Sequence, residues 1–175
     1  SMQERSFLRP AAYTELAARH NFAQSGRYKE IMRILMTPKQ ARLVTLLPAT
    51  PGELAQKMGA PLEEVNKDLE DLFTKGVIIP RNFQTREGYR FCRSIEQFHD
   101  ATQSNVKLDP VLGRRFFDLW NEFCLQEWYP LYAQHYAQRE QPLERVVAAY
   151  QAIKDVPGMQ PFDDIRELIR SADPI

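Results

Sequence analysis

The sequence predicts a mainly α-helical protein carrying one small β-hairpin. Three observations lead there. Apolar residues recur at spacings of three and four along most of the 175 residues. Helix starts and stops are spelled out by caps and glycines: Thr37-Pro38, Thr50-Pro51-Gly52-Glu53, Gly59 and Gly76. Only one pair of strand-like runs, "VIIP" and "YRFCRS", interrupts the helical pattern, and "RNFQTREG" between them has turn chemistry.

Residues 1–36 read as a helical lead-in. Ser1-Met2 has the look of a tag remnant and is set aside. Of two short helices, the second (Ser25 to Met36) lines up Tyr28, Ile31, Met32 and Leu35 on one face. Thr37 then caps a helix with Pro38 in its first turn, apolar at Ala41, Leu43, Val44, Leu46 and Leu47 and ended by Pro48. Thr50 and Glu53 form a capping box around Pro51, and Gly59 is placed as the left-handed stop. The following helix carries Leu62, Val65, Leu69, Leu72 and Phe73 as its stripe and stops at Gly76. Three helices and then a hairpin, over residues 37–96, is the order of a winged helix-turn-helix. Residues 97–175 read as a further helical segment. Its longest periodic stretch sets Phe116, Leu119, Trp120, Phe123, Cys124, Glu127 and Trp128 at three and four, and Pro130 is expected to kink or restart it. Another helix is expected from Pro142, then the linker "KDVPGMQPF" and a closing amphipathic helix, "DDIRELIRSADPI".

Charge narrows the function. Lys+Arg and Asp+Glu are both 23, so the chain has no positive excess of the kind that phosphate-binding domains carry. No apolar run reaches the length of a membrane span and no signal pattern opens the chain, so a cytoplasmic location without membrane contact is expected. Two cysteines, Cys92 and Cys124, fit a reducing compartment and are too few for the four ligands of an ordinary iron–sulfur cluster. His20, His99 and His135 show no metal-ligand spacing, and nucleophile elbows and phosphate-binding glycine loops are absent. No catalytic or metal residue is therefore assigned. Glu122 and Glu127 form a conceivable carboxylate pair whose plainer reading is a solvated flank.

Three groups of residues stand out as docking candidates. The stretch Pro61–Lys75 holds five carboxylates against two lysines; Glu63, Glu64, Asp68 and Asp71 are read as an outward acidic face. A helix of that sign would be repelled along a groove lined by phosphates. The hairpin carries Arg81, Arg86, Arg90 and Arg93, opposed only by Glu87, which suit phosphates or an acidic partner; a solvated turn is the plainer reading. The aromatic helix offers Trp120, Trp128 and Tyr132 as anchors, although a ring stripe at helical spacing is more often core. These features favour a non-catalytic interaction and scaffolding module over the alternative, a winged-helix transcription regulator that binds duplex DNA.

The stretches "PRNFQTREGYRF", "FHDAT" and "PFDDIRELIRSADPI", set after "LLPATPGELAQKMG", resemble the N-terminal region of bacterial and archaeal ferredoxin-type iron–sulfur proteins. The resemblance runs over nearly the whole chain. It implies a winged-helix-like module and a helical segment preceding a cysteine-rich portion that binds [4Fe–4S] clusters. The sequence stops at Ile175 before any such cysteine, so it reads as a fragment, and no cluster ligand carries over to a residue here. The resemblance implies electron transfer or a redox-accessory role for the full-length protein. The expected partners are its own cluster domain, another protein, or a second copy of the chain in a homodimer.

Overall fold

Short side-chain caps start four of the helices in the computed structural model, which describes residues 11–140, 155, 157 and 169–172. Helix α1 spans Ala12–Arg19, and α2 spans Gly26–Leu35, where Ser25 Oγ accepts from Tyr28 N at its start. Helix α3 (Pro38–Thr45) opens with a capping box: Thr37 Oγ1 accepts from Gln40 N, while Gln40 Oε1 accepts from Thr37 N. Helix α4 (Pro51–Met58) opens with the same device between Thr50 and Glu53 and ends at Gly59, whose φ is +60°. Helix α5 spans Leu62–Thr74 and buries Val65, Leu69 and Leu72.

Strands β1 (Ile78–Pro80) and β2 (Tyr89–Phe91) then pair antiparallel, with Ile78 opposite Phe91, Ile79 opposite Arg90 and Pro80 opposite Tyr89. Alternation puts Ile78, Pro80, Tyr89 and Phe91 toward the core side and Ile79 and Arg90 outward. On the other side of β2, Ala49 forms an isolated bridge with Tyr89, so the loop between α3 and α4 joins the sheet. A single bridging residue has no alternation to read, and the sequence did not predict it. The mainly helical class with one two-stranded antiparallel sheet matches the expectation.

Helix α6 (Ile95–Gln103) follows, capped by Ser94. A 3₁₀ turn (Val106–Leu108) and α7 (Asp109–Leu112) lead to α8 (Arg114–Phe123). The long aromatic helix is not continuous. After Phe123 the backbone widens into a π turn, Cys124–Trp128, before α9 (Tyr129–Ala137) resumes. The cause is Pro130, which has no N–H and whose ring would clash with the carbonyl four residues back in a regular α turn. The helix expected from Pro142 and most of the closing helix lie outside the described residues.

The chain divides into compact units at Pro130/Leu131, a different place from the expected boundaries at 36/37 and 96/97. The reason is an aromatic core shared by all three expected segments. Tyr28 of α2 stacks on Phe123 of α8 at 5.0 Å and meets Phe98 of α6 edge-on at 5.8 Å, while Phe98 lies 5.9 Å from Trp120. Phe22 packs against both Tyr28 and Phe123. His20 of the lead-in stacks on Phe91 of the hairpin at 4.6 Å, and Phe91 meets Phe98 edge-on at 5.7 Å, so the lead-in, the hairpin and the later helices share this core.

Candidate functional site

Helix α5 does not present its carboxylates as one open acidic face. Glu64, Asp68 and Asp71 lie on the flank toward the start of α3. Lys39 Nζ stands 2.5 Å from Glu64 Oε1 and 3.5 Å from Asp68 Oδ2. The Glu64 hydrogen bond, helped by the Asp68 charge, holds the Lys39 ammonium above its ordinary range. Gln40 Nε2 donates to Asp71 Oδ2 at 2.8 Å and to Asp68 Oδ1 at 3.3 Å, and Lys75 Nζ pairs with Asp71 at 2.9 Å. Asp68 Oδ2 is buried without a hydrogen bond, so Asp68 is a packing contact between helices more than a surface group. Of the four expected docking carboxylates, Glu63 alone enters no ion pair among the described residues. Gln40 was not singled out from the sequence. Its place three residues after the Thr37 cap was the available signal.

The hairpin arginines also separate. Arg86, at φ +52°, turns back onto α5: its Nη1 donates to Glu70 Oε2 at 2.6 Å and its guanidinium lies 4.0 Å over the Phe73 ring. Phe83, two-thirds exposed at the turn, leans on the same Phe73 at 6.4 Å. Asn82 Oδ1 holds the turn by accepting from Gln84 N and Thr85 N. Arg86 is thus an internal clasp between hairpin and helix. Arg90 Nη1 donates to Gln97 Oε1 at 2.8 Å and to the Phe91 carbonyl at 3.3 Å. The same Gln97 oxygen accepts from Arg93 N at 2.8 Å, so the Arg90 head and the Arg93 backbone converge on one side chain of α6. Arg81 and Arg93 are exposed.

The aromatic anchors fall in two places. Trp120 and Trp128 are 1% and 6% exposed, the core placement that is the plainer reading of a ring stripe. Both meet His99, Trp120 at 5.0 Å and Trp128 at 5.4 Å, and α2 and α6 supply the second layer that a single helix cannot. Tyr132 lies in the second unit, where it meets Tyr136 edge-on at 5.7 Å. Glu122 and Glu127 both pair with Arg27, at 3.5 and 3.2 Å, and Arg27 also reaches Gln126 at 2.7 Å, clipping α2 to the end of α8 and the π turn.

His20, Cys92 and Cys124 are buried within the fold. His20 is buried, with Nε2 2.7 Å from the Cys92 carbonyl and Nδ1 2.5 Å from Tyr28 Oη. A carbonyl only accepts, so Nε2 carries the proton and Nδ1 accepts from the tyrosine. Burial holds His20 below its ordinary pKa and pushes Tyr28 well above its own. Burial likewise raises the Cys92 thiol to about 12, and Cys92 Sγ donates to the Gly76 carbonyl at 3.2 Å. Cys124 is buried, its thiol also pushed up by burial. Neither thiol suits a metal-bound thiolate, and the described residues contain no group of three or more His, Cys, Asp or Glu able to hold a metal ion. Among the described residues no helix is long and apolar enough to cross a membrane. Against protein-family models, curated proteins and solved structures, the chain finds no match.

Proposed function

We propose that residues 37–96 form a winged-helix arrangement devoted to protein interaction, and that the chain is a non-catalytic docking module. The order α3, bridging loop, α4, α5, hairpin supports the arrangement. The observation that carries the function is the clasp from Arg86 to Glu70 and Phe73. In a DNA reader of this design, α5 would enter the major groove with the hairpin beside it. Here the hairpin cation that would meet a phosphate pairs instead with a carboxylate of that helix. A protein surface of mixed charge tolerates this closed, near-neutral face, and a phosphate groove does not. The assignment to an iron–sulfur redox protein rests on the sequence resemblance alone. There the module would hold the cluster portion or its redox partner in place.

The second reading, a DNA-binding regulator, is favoured by exposed Arg81 and Arg93. A salt titration with a labelled DNA duplex decides between them. The expected result is no micromolar binding at about 150 mM salt. Micromolar or tighter binding there, weakened by Arg81→Ala or Arg86→Ala, would overturn the interaction reading.

A further inference from the structure

With Arg86 clasped to α5, the positive charge left on the hairpin lies on its outer face. Ile79 and Arg90 stand directly opposite each other and point outward. Arg81 and Gly88 continue that face by alternation, joined by Arg81 N donating to the Gly88 carbonyl at 2.7 Å. Gly88 lets the Arg81 stem cross it: a Cβ there would lie 3.2 Å from Arg81 Cδ. This brings Arg81 diagonally toward Arg90, within reach of a shared ligand. Gln97 gathers the other end by accepting from both Arg90 Nη1 and Arg93 N. Among the described residues none of Arg81, Arg90 and Arg93 belongs to an ion pair. Glu87 and Glu96, next to them in sequence, are not paired with them.

We propose that this outer face, where Gln97 holds the Arg90 head and the Arg93 backbone and the Arg81 stem crosses Gly88, docks an acidic segment of a partner protein. The inference rests on the interaction reading above and names the surface and the partner's charge. The outward Arg81 and Arg90, with exposed Arg93 just past the strand, match a short row of carboxylates, each offering the two-pronged geometry that arginine favours. A nucleic acid fits less well. Three phosphate contacts give a shallow salt dependence of roughly −2.7 in log K against log salt and weak binding near physiological salt.

The test uses the whole chain with two labelled probes, an oligoglutamate peptide and a DNA duplex, at low ionic strength. Oligoglutamate is expected to bind, and Arg81→Ala and Arg93→Ala each to weaken it about two- to fivefold. Lys67→Ala, on the exposed side of α5, is expected to leave it unchanged. Circular dichroism confirms that each variant is folded; both arginines are exposed, so neither change opens the core. If oligoglutamate does not bind, or the two arginine variants bind it as well as the parent, this surface is overturned. The interaction reading then survives provided the duplex also fails to bind. Tighter binding of the duplex than of oligoglutamate overturns both.

Discussion

Gly76→Ala is expected to be among the most damaging single-methyl changes in the chain, and Gly59→Ala supplies its control. Both glycines close a helix with positive φ, +75° at Gly76 and +60° at Gly59. An alanine in that region costs about 1–2 kcal/mol at either site. The surroundings differ. Nothing lies within 4 Å of a Cβ at Gly59, whereas at Gly76 it would stand 2.2 Å from the Ala101 carbonyl oxygen and 2.5 Å from its carbon. Those are backbone atoms of α6, which buries Ile95, Phe98 and Thr102 and cannot swing aside as a side chain does. Relieving the overlap means moving α6 off the α5–β1 junction, an overpacking cost of about 1–3 kcal/mol on top of the strain. The sum is about 2–5 kcal/mol, a fall in Tm of roughly 6–20 °C for a unit of this size. Urea unfolding of both variants measures the difference through the midpoint at constant slope. Equal losses at the two glycines would refute the close approach to Ala101. The same contact bears on docking, because α6 carries the Gln97 that gathers Arg90 and Arg93.

Two further outcomes follow from buried groups. The folded pKa of His20 is depressed by burial, so both states are neutral above the unfolded value of about 6.5 and its contribution to stability is fully present there. As pH falls below 6.5 the unfolded chain takes up a proton that the folded chain refuses, and stability drops by up to about 1.4 kcal/mol per pH unit until the folded pKa is passed. Urea midpoints between about pH 6.5 and 5.5 should show this slope, and His20→Gln should flatten it; an unchanged slope in the variant would rule His20 out as its source. Trp128→Ala should cost about 3–5 kcal/mol as a core truncation and leave the oligomeric state as in the parent. Light scattering that shows a stable variant with altered assembly would restore Trp128 as an interface anchor.

Local chemistry made the helix boundaries legible. Thr37, Thr50 and Gly59 act within four residues of their own positions, so a threonine followed by proline, or a glycine after an apolar stripe, carries its meaning wherever the chain goes. Long-range pairings left no such trace. His20 meets the Cys92 carbonyl across 72 residues of sequence, and Arg27 meets Glu127 across 100. The burial of Trp120 shows the limit in another form. Its stripe was evident, but whether a stripe faces a core or a partner depends on a second layer, and that layer came from the lead-in helix α2 and from α6. The hairpin arginines were singled out together because they share a short stretch. Only the strand register and the turn at Arg86 decide that one faces helix α5 while Arg81 and Arg90 face away.

The same limit governs the acidic helix and redirects the functional argument. Counted along the sequence, α5 is a strongly negative element, and a negative helix invites a basic partner. In the fold, Lys39 stands against Glu64 and Asp68, Lys75 against Asp71, and Arg86 against Glu70, so the fold itself supplies most of the opposite charge. Exposed pairs of this kind add little to stability, yet together they remove the field that would steer a basic partner. An electrostatic docking site must be sought where charge is left without a counterion. On the described residues that criterion passes over the helix with the most carboxylates and selects the hairpin's outer face, where the Arg90 head is held by an amide side chain and a backbone carbonyl and Arg81 and Arg93 are exposed. Neutral acceptors of that kind orient arginines without cancelling them, which leaves their charge for an acidic chain to meet.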